Sequence, residues 1–455
     1  MDETETWALR LCEEAKAEMT ATGNTGTMEQ TLERVAGRHP RRALELWVRA
    51  RAQEEPLHCP KCRTPLHVEA RRKNRRVRSR FGTLSFQRGY GFCPSCRQRH
   101  APGDAALGLA EFAPASPRVQ EICALLARRA PAGQVEEDTR RLTGLNVSAS
   151  SIHREARRQG DRALALRETD TALLDTAKGQ AELHNRASLA SSPFTLVIEL
   201  DAWNIRERDE WGRTTALRQA GQEPGRWHWV YTGTIFRLDQ RGTTASGRPV
   251  ISERGYVATR HGVEAFGRQV HAQALQRGLL HAECVLVLAD GAVWIWNLVS
   301  DRFPNAIQRV DLFHVREHLH ALAEELFGKG TAAAKQWVDP YCRWLDQRQD
   351  GGLDVIAGLE GLRQTIEQAT DKQREALDRE IGYLSEHKHR MAYQSGKSLG
   401  QPVGSGAIES TCSQYQRRFK LTGQFWSLAG DEAFLALDTI HRNGQWLRLF
   451  PHDSG

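Results

Sequence analysis

Three acidic residues occupy positions where an acid does chemistry. Asp201 ends the apolar run Leu196-Val197-Ile198-Glu199-Leu200, and Asp290 ends Val285-Leu286-Val287-Leu288-Ala289 and is followed by Gly291. An acid just past a buried strand faces the crevice at the carboxyl ends of an α/β sheet. A lone charge there is unfavourable, so two near each other call for hard divalent cations held through carboxylate oxygen, Mg²⁺ or Mn²⁺. The stretch Gly404-Ser405-Gly406-Ala407-Ile408-Glu409-Ser410 puts a third acid near the start of a helix. Three carboxylates around two ions about 4 Å apart can drive in-line attack on a phosphodiester. One ion activates a water or a 3′-hydroxyl, and the other stabilises the leaving oxygen. Spacing alone leaves the plainer alternative, that each Asp is a turn residue or helix cap. Asp311 and His314 follow a further apolar run, where a His can equally be a satisfied anchor of the strand end.

A second constellation is made of thiols. Cys59-x-x-Cys62 and Cys93-x-x-Cys96 form two pairs separated by 30 residues. Two short loops with two sulfurs each suit a tetrahedral Zn²⁺. Four thiolates close the coordination sphere, so such a zinc is structural. The alternative is reduced thiols packed as small hydrophobes. Between the pairs, residues 71–80 carry seven basic side chains in ten, Arg75 and Arg76 among them. They either neutralise phosphates or form a solvated loop. Nine cysteines, an odd number scattered over a long chain, are no secreted disulfide framework and read as intracellular.

The elements that must position these residues follow from periodicity. Residues 1–52 read as helical, broken at 22–27. Residues 53–104 form the cysteine-bearing module, with a strand-like alternation at 84–90. Residues 105–190 read as helices, including a helix–turn–helix whose second helix spans 148–158. Apolar runs of strand length at 194–200, 229–236, 256–259, 285–288 and 307–313, with a helical stretch at 263–279, predict a mixed α/β core over 191–314. Residues 315–400 are helical again, with a polar break at 349–352, and one more helical stretch covers about 406–445 within a last segment, 401–455. The 455 residues are ample for several domains. A net charge of +7, with Arg supplying 53 of 63 basic residues, is a weak pointer to nucleic acid. No run of 18 apolar residues and no signal-peptide pattern are present.

At this point the residues match a family. Val197-Ile198-Glu199-Leu200-Asp201-Ala202-Trp203-Asn204 and Asp290-Gly291-Ala292-Val293-Trp294-Ile295-Trp296-Asn297 resemble the first two catalytic blocks of a bacterial insertion-sequence transposase of the DDE class. Gly404-Ser405-Gly406-Ala407-Ile408-Glu409-Ser410-Thr411-Cys412 and Arg418-Phe419-Lys420-Leu421-Thr422-Gly423-Gln424-Phe425-Trp426-Ser427 resemble the third. Within that class the blocks resemble the Kra-type family, and the resemblance runs from about residue 55 onward. Ala202 stands where many relatives have Gly.

The resemblance implies an RNase H-like catalytic fold with Asp201, Asp290 and Glu409 as catalytic, Mg²⁺- or Mn²⁺-binding residues. It implies that 315–400 is an all-helical insertion, and that Asp311 and His314, matching a Cys-or-Asp-x-x-His signature, support the active site. Expected DNA contacts are Arg75 and Arg76 in the zinc-ribbon-like module, His153, Arg154, Arg157 and Arg158 on the recognition helix, and Arg417, Arg418 and Lys420 beyond Glu409. Trp337 and Trp344 in the insertion either stack a displaced base or belong to a helix core. The expected function is a cytoplasmic DNA transposase. It would bind the terminal inverted repeats of its element, cut them, join the 3′-hydroxyl to target DNA, and act as a dimer or higher multimer. The alternatives are a sequence-specific DNA-binding regulator domesticated from a transposase, and a metal-dependent nuclease.

Overall fold

The computed structural model describes residues 3–18, 24–54, 57–109, 113–188, 192–208, 210, 212–223, 225–247, 249–365 and 369–451. The chain divides into two compact units, residues 1–158 with 450–455, and residues 159–449. Among the described residues, no helix is long and apolar enough to cross a membrane.

The first unit opens with helices α1 (Glu3–Glu18), α2 (Thr25–Ala36) and α3 (Arg38–Glu54). The expected break at 22–27 ends earlier than read. Residues 19–23 lie outside the described residues, Asn24 caps α2 by accepting from the Thr27 amide, and α2 already begins at Thr25. Strands β1 (His67–Ser79), β2 (Gly82–Cys93) and β3 (Gln98–His100) form an antiparallel sheet in that order. The basic stretch 71–80 therefore lies in β1 up to Ser79, in register with β2 from Lys73 onward, with Arg80 in the turn. Val77, Leu84 and Phe86 of this hairpin pack on Val48 and Ala52 of α3. Helix α4 (Pro102–Ala106) follows, then α5 (Pro117–Ala127), α6 (Ala132–Thr143) and α7 (Ala149–Ala172). Gly144, with φ +65°, closes α6 in the left-handed conformation that only glycine adopts freely. The Glu136 carboxylate accepts from the Ala149 amide at 2.8 Å and fixes the start of α7.

After α8 (Ala177–His184), the second unit builds on five strands. These are β4 (Thr195–Glu207), β5 (Arg226–Arg237), β8 (Gly255–Thr259), β9 (Cys284–Ala289) and β10 (Ile307–Val310), with a small separate ribbon of β6 (Arg241–Thr243) and β7 (Pro249–Ile251). Helix α9 (Thr214–Gln219) lies between β4 and β5 in sequence. The sheet order is β10-β9-β4-β5-β8. Strands β4, β9 and β10 are parallel, while β5 is antiparallel to β4 and to β8. The fold is thus mixed α/β around a mixed sheet, as the periodicity predicts.

Alternation splits β4 between two layers. Leu196, Ile198 and Leu200 face α10 (Gly262–Leu275) and α11 (Val293–Arg302), packing near Phe266, Val270 and Ile295. That core continues into the helical stretch α12 (Leu312–Phe327), α13 (Ala332–Gln347), α14 (Gly351–Thr365), α15 (Asp371–Glu386) and α16 (Tyr393–Ser398). Val197 faces the other way, with Leu286, Leu288 and Ala407 of α17 (Gly406–Phe419). The fifth strand stops at Val310, because Asp311 already caps α12. The final helical stretch is two helices rather than one. α17 ends at Phe419 and α18 spans Leu428–Arg442, with Gly423 at φ +73° in the turn between them. Trp337 and Trp344 are half-buried, each in ring contact with Tyr341, so they belong to the packing of the helical stretch.

Candidate active site

Strand register brings the acids together. Leu200 of β4 lies opposite Ala289 of β9, and Ala289 lies opposite Val310 of β10. Asp201, Asp290 and Asp311 are therefore the next residues along three adjacent parallel strands, whose spacing is about 4.8 Å. By alternation Glu199 and Asp201 share Val197's face of β4, the face that α17 covers. Glu409 comes to this edge in the first turn of α17.

Two further carboxylates hold that turn in place. Glu199, 1% exposed, accepts from the Ile408 amide at 2.8 Å. Asp311, 2% exposed, accepts from both the amide and the hydroxyl of Ser405. Its other oxygen accepts from the Phe313 and His314 amides, capping α12. The first amides of a helix have no partner within it, so these acids satisfy donors that would otherwise be orphaned. Burial pushes the Glu199 carboxyl up to about 8, against the opposing pull of the Ile408 amide. Asp311 is thus engaged at the starts of both α12 and α17. Glu199 was missed in the sequence because it reads there as one polar residue inside an apolar run. The available signal was its i, i−2 relation to Asp201, which puts both on one face. Replacing Asp311 by Ala strands three amides and one hydroxyl. We expect a loss of about 2–4 kcal/mol, read as a lower denaturation midpoint, with Asp311→Asn intermediate.

The three remaining acids are differently placed. Asp201 accepts from the Ala202 amide at 2.6 Å, and Asp290 from the Ala292 amide at 2.9 Å. Burial raises the Asp201 carboxyl above its ordinary range, and the charge of Asp290 adds to this. Burial likewise raises Glu409, helped by Asp311 and Asp201. His314, half-exposed, offers the opposing positive charge to Asp201 when protonated, and its Nδ1 lies 3.3 Å from Glu317. Among the described residues none of Asp201, Asp290 and Glu409 forms an ion pair with Arg or Lys, whereas buried Glu207 and Asp431 share Arg260 and Glu432 holds Arg167. The three acids do not all fall within 4.8 Å of one another, as the four cysteines do.

Helix α15 covers the Asp290 edge. A Cβ on Gly291 would sit 2.3 Å from a ring carbon of Tyr383 and 2.6 Å from its hydroxyl. Tyr383 stacks on His318 with centroids 4.0 Å apart, and His318 Nδ1 lies 2.7 Å from Glu380. Gly291 therefore admits the aromatic ring, a role that a reading of Asp-Gly as a simple turn does not reveal. Gly291→Ala overpacks this contact, which typically costs about 1–3 kcal/mol. Adding Tyr383→Ala is expected to recover much of that loss, a coupling that thermal denaturation of the single and double variants measures.

The expected DNA-facing residues separate into two groups. Arg76, His153, Arg154, Arg417 and Lys420 are exposed and Arg157 is half-buried. Arg75 points inward, donating to the Ala113 carbonyl beside Asp104 at 3.6 Å. Arg158 donates to Glu155 and to Gln120. Arg418 is buried against the rings of Trp426 and Phe434, and burial lowers it to about 10. Those three guanidinium groups are engaged within the fold, which basic sequence runs do not disclose.

Cys59, Cys62, Cys93 and Cys96 stand close enough to bind a metal such as zinc. The Cys59–Cys96 and Cys62–Cys93 sulfur separations are 3.7 and 3.4 Å. A tetrahedral ion with Zn–S bonds of about 2.3 Å sets its sulfurs roughly 3.8 Å apart. Each pair ends in a tight turn. Arg63 and Arg97, the residues directly after Cys62 and Cys96, have φ of 62° and 55°, the non-glycine positive values among the described residues. Buried His100 places Nε2 at 3.3 Å from the Cys96 sulfur, a neighbour that Cys spacing alone does not indicate.

No model of a known protein family matches the chain and no curated protein is recognisably similar to it, so the likeness to insertion-sequence transposases rests on its motif blocks.

Proposed function

We propose that the second unit is an RNase H-like DDE transposase core. In this reading Asp201, Asp290 and Glu409 hold two Mg²⁺ or Mn²⁺ ions, and α12 to α16 form the helical insertion. The observation that carries it is the convergence of three carboxylates, far apart in sequence, on one sheet edge with no Arg or Lys counter-ion. Raised carboxyl groups without an Arg or Lys counter-ion, as at Asp201 and Glu409, are what a bound cation would relieve. Their spread beyond a single tight cluster suits two ions. The order β10-β9-β4-β5-β8, with one antiparallel pair of contacts flanking β5, supports the fold assignment.

The bound ions would supply activation of the attacking oxygen and stabilisation of the leaving one. The chain's own residues do the rest. Glu199 and Asp311 hold the first turn of α17, so Glu409 is fixed against the strand ends. The Ala202 and Ala292 amides orient Asp201 and Asp290. Tyr383 and α15 shield the Asp290 edge from bulk water.

In the first unit, the four cysteines would hold a structural zinc. The exposed cations of β1, Arg71, Arg72, Lys73 and Arg76, together with His153 and Arg154 on α7, would engage the phosphates and base edges of the element's ends. Arg75 and Arg158 are not part of this proposal, since their guanidinium groups bond within the fold. Two DNA ends must be held for joining, so a dimer or larger assembly on DNA is expected.

The test is an end-cleavage assay. Protein is mixed with the DNA that flanks its own reading frame, with and without Mg²⁺. Nicks at the boundary of an inverted repeat, present only with the metal, are the expected result. Tight binding with no cutting in Mg²⁺ or Mn²⁺ would replace the transposase by a DNA-binding regulator.

A further inference from the structure

Strands β4 and β5 run on together past Asp201, with Asn204 opposite Trp229 and Arg206 opposite Trp227. Trp227 is 59% exposed and Trp229 54%. Both side chains lie on the same face, two residues apart. An exposed pair of tryptophans so arranged has no role in the core. The surface around them is cationic and aromatic. The Arg206 guanidinium lies over the rings of Trp227 at 5.6 Å and Phe425 at 5.0 Å, and Arg208 lies over Phe425 at 4.0 Å. Arg226 is exposed beside them. Among the acids nearby, Glu223 reaches Arg206 at 3.6 Å, while Glu207 is buried on Arg260.

The strip lies on the Leu200 face of β4, opposite the face that Asp201 shares with Val197 and α17. Tyr231, next on that face, meets Trp294 at 5.0 Å, and Trp294 lies in the first turn of α11, four residues after Asp290. The turn between α17 and α18 braces the ribbon. The Trp426 amide donates to the Arg206 carbonyl, the Arg208 amide donates to the Trp426 carbonyl, and Phe425 packs where a Cβ on Gly225 would be. Residues two apart on a strand stand roughly 6.8 Å from each other, twice the rise of stacked bases, about 3.4 Å.

We infer that this β4–β5 ribbon is a binding platform for unpaired nucleic-acid bases. Trp227 and Trp229 stack on base faces, and Arg206 and Arg208 meet the backbone phosphates. Flat aromatic faces interleaved with guanidinium groups are how single strands are held without sequence preference. A protein partner fits the patch less well, because the exposed surface is rich in arginine and poor in aliphatic side chains. The inference deepens the proposed function. It rests on that reading, in which the strand held there would be one left unpaired when an end is opened.

The experiment measures binding of a fluorescent 20-nucleotide oligothymidine to the full chain by anisotropy, in the absence of divalent metal. Each stacked base contributes about 1–3 kcal/mol, so Trp227→Ala/Trp229→Ala is expected to weaken binding by at least about tenfold. Trp227→Phe/Trp229→Phe should restore most of it, and Arg206→Ala should flatten the salt dependence. Affinity for blunt duplex DNA should not change in the tryptophan variants. Unchanged oligothymidine affinity in the double Ala variant overturns the inference. So does an equal loss on duplex, and so does a shift from dimer to monomer in sedimentation with binding intact, which would make the patch a contact between copies. Because no cutting is read, the platform can stand when end cleavage fails, and can fail when end cleavage is observed.

Discussion

Asp290→Asn is expected to bind end DNA as wild type does and to cut it at least about a thousandfold more slowly in Mg²⁺, a rise of about 4 kcal/mol in the barrier. Asp201→Asn and Glu409→Gln should behave alike, since in the proposed function the three carboxylates would act as one unit whose losses do not add. Stability should move the other way. Burial and mutual charge raise the Asp201 and Glu409 carboxyl groups in the folded protein. A raised folded value means that the native state holds its protons longer than the unfolded chain does. Without metal, stability therefore falls as pH climbs from the ordinary carboxylate range through the raised values. Asp201→Asn removes part of that loss, so the metal-free variant should melt at least as high as wild type at neutral pH. Wild type should be stabilised by Mg²⁺ in proportion to the occupancy of its site, and the variant should not. Undiminished cutting by Asp290→Asn would remove the metal assignment. A metal-free variant that melts well below wild type would mean that Asp201 serves the fold rather than a cation.

Removing the metal from the four-cysteine cluster should have an effect of comparable size on the first unit. Structural zinc contributes about 10–16 kcal/mol in small zinc-dependent folds at neutral pH. Cys93, fully buried, sits at the junction of β2 and the second knuckle. Cys93→Ser, or treatment with a strong chelator, is expected to release one zinc per chain. The β1–β2–β3 sheet should then loosen, with loss of amide protection along β1 and of DNA binding. Zinc analysis and hydrogen exchange read both effects. Mg²⁺-stabilisation of the second unit should survive, since its carboxylates draw nothing from the cysteines. Full protection of β1 in a zinc-free protein would show that Val77, Leu84 and Phe86 against α3 suffice to hold the sheet.

Legibility in the sequence varied with the kind of signal. Strands β4 and β9 could be read because their apolar runs, up to Leu200 and Ala289, are continuous, and Asp201 and Asp290 because each breaks such a run at its end. The four cysteines could be read because spacing alone defines two knuckles. The strand character of residues 71–80 was hidden, since seven charged side chains mask an alternation carried by Arg75 and Val77. The division of the last helical stretch was hidden too. Its turn is set by Gly423 and by Trp426 pairing with β4, a contact across more than two hundred residues. Arg75, Arg158 and Arg418 show the limit of counting charge. Whether a guanidinium faces solvent or a buried acceptor depends on tertiary neighbours that no local window contains.

The link between Glu199 and the Ile408 amide joins positions 209 residues apart. Closing so long a loop carries an entropic cost, one that grows only slowly with its length. A molecule in which α17 has come loose would keep its sheet, its cysteine knuckles and its basic strand, and could still sit on DNA. It would lack the third carboxylate altogether. In the proposed function, latching and cutting would therefore share one threshold. The population of unlatched molecules, rather than the pace of chemistry in latched ones, would set how often a bound protein stays silent. Sequence changes anywhere along the intervening helices would tune that frequency without touching an acid.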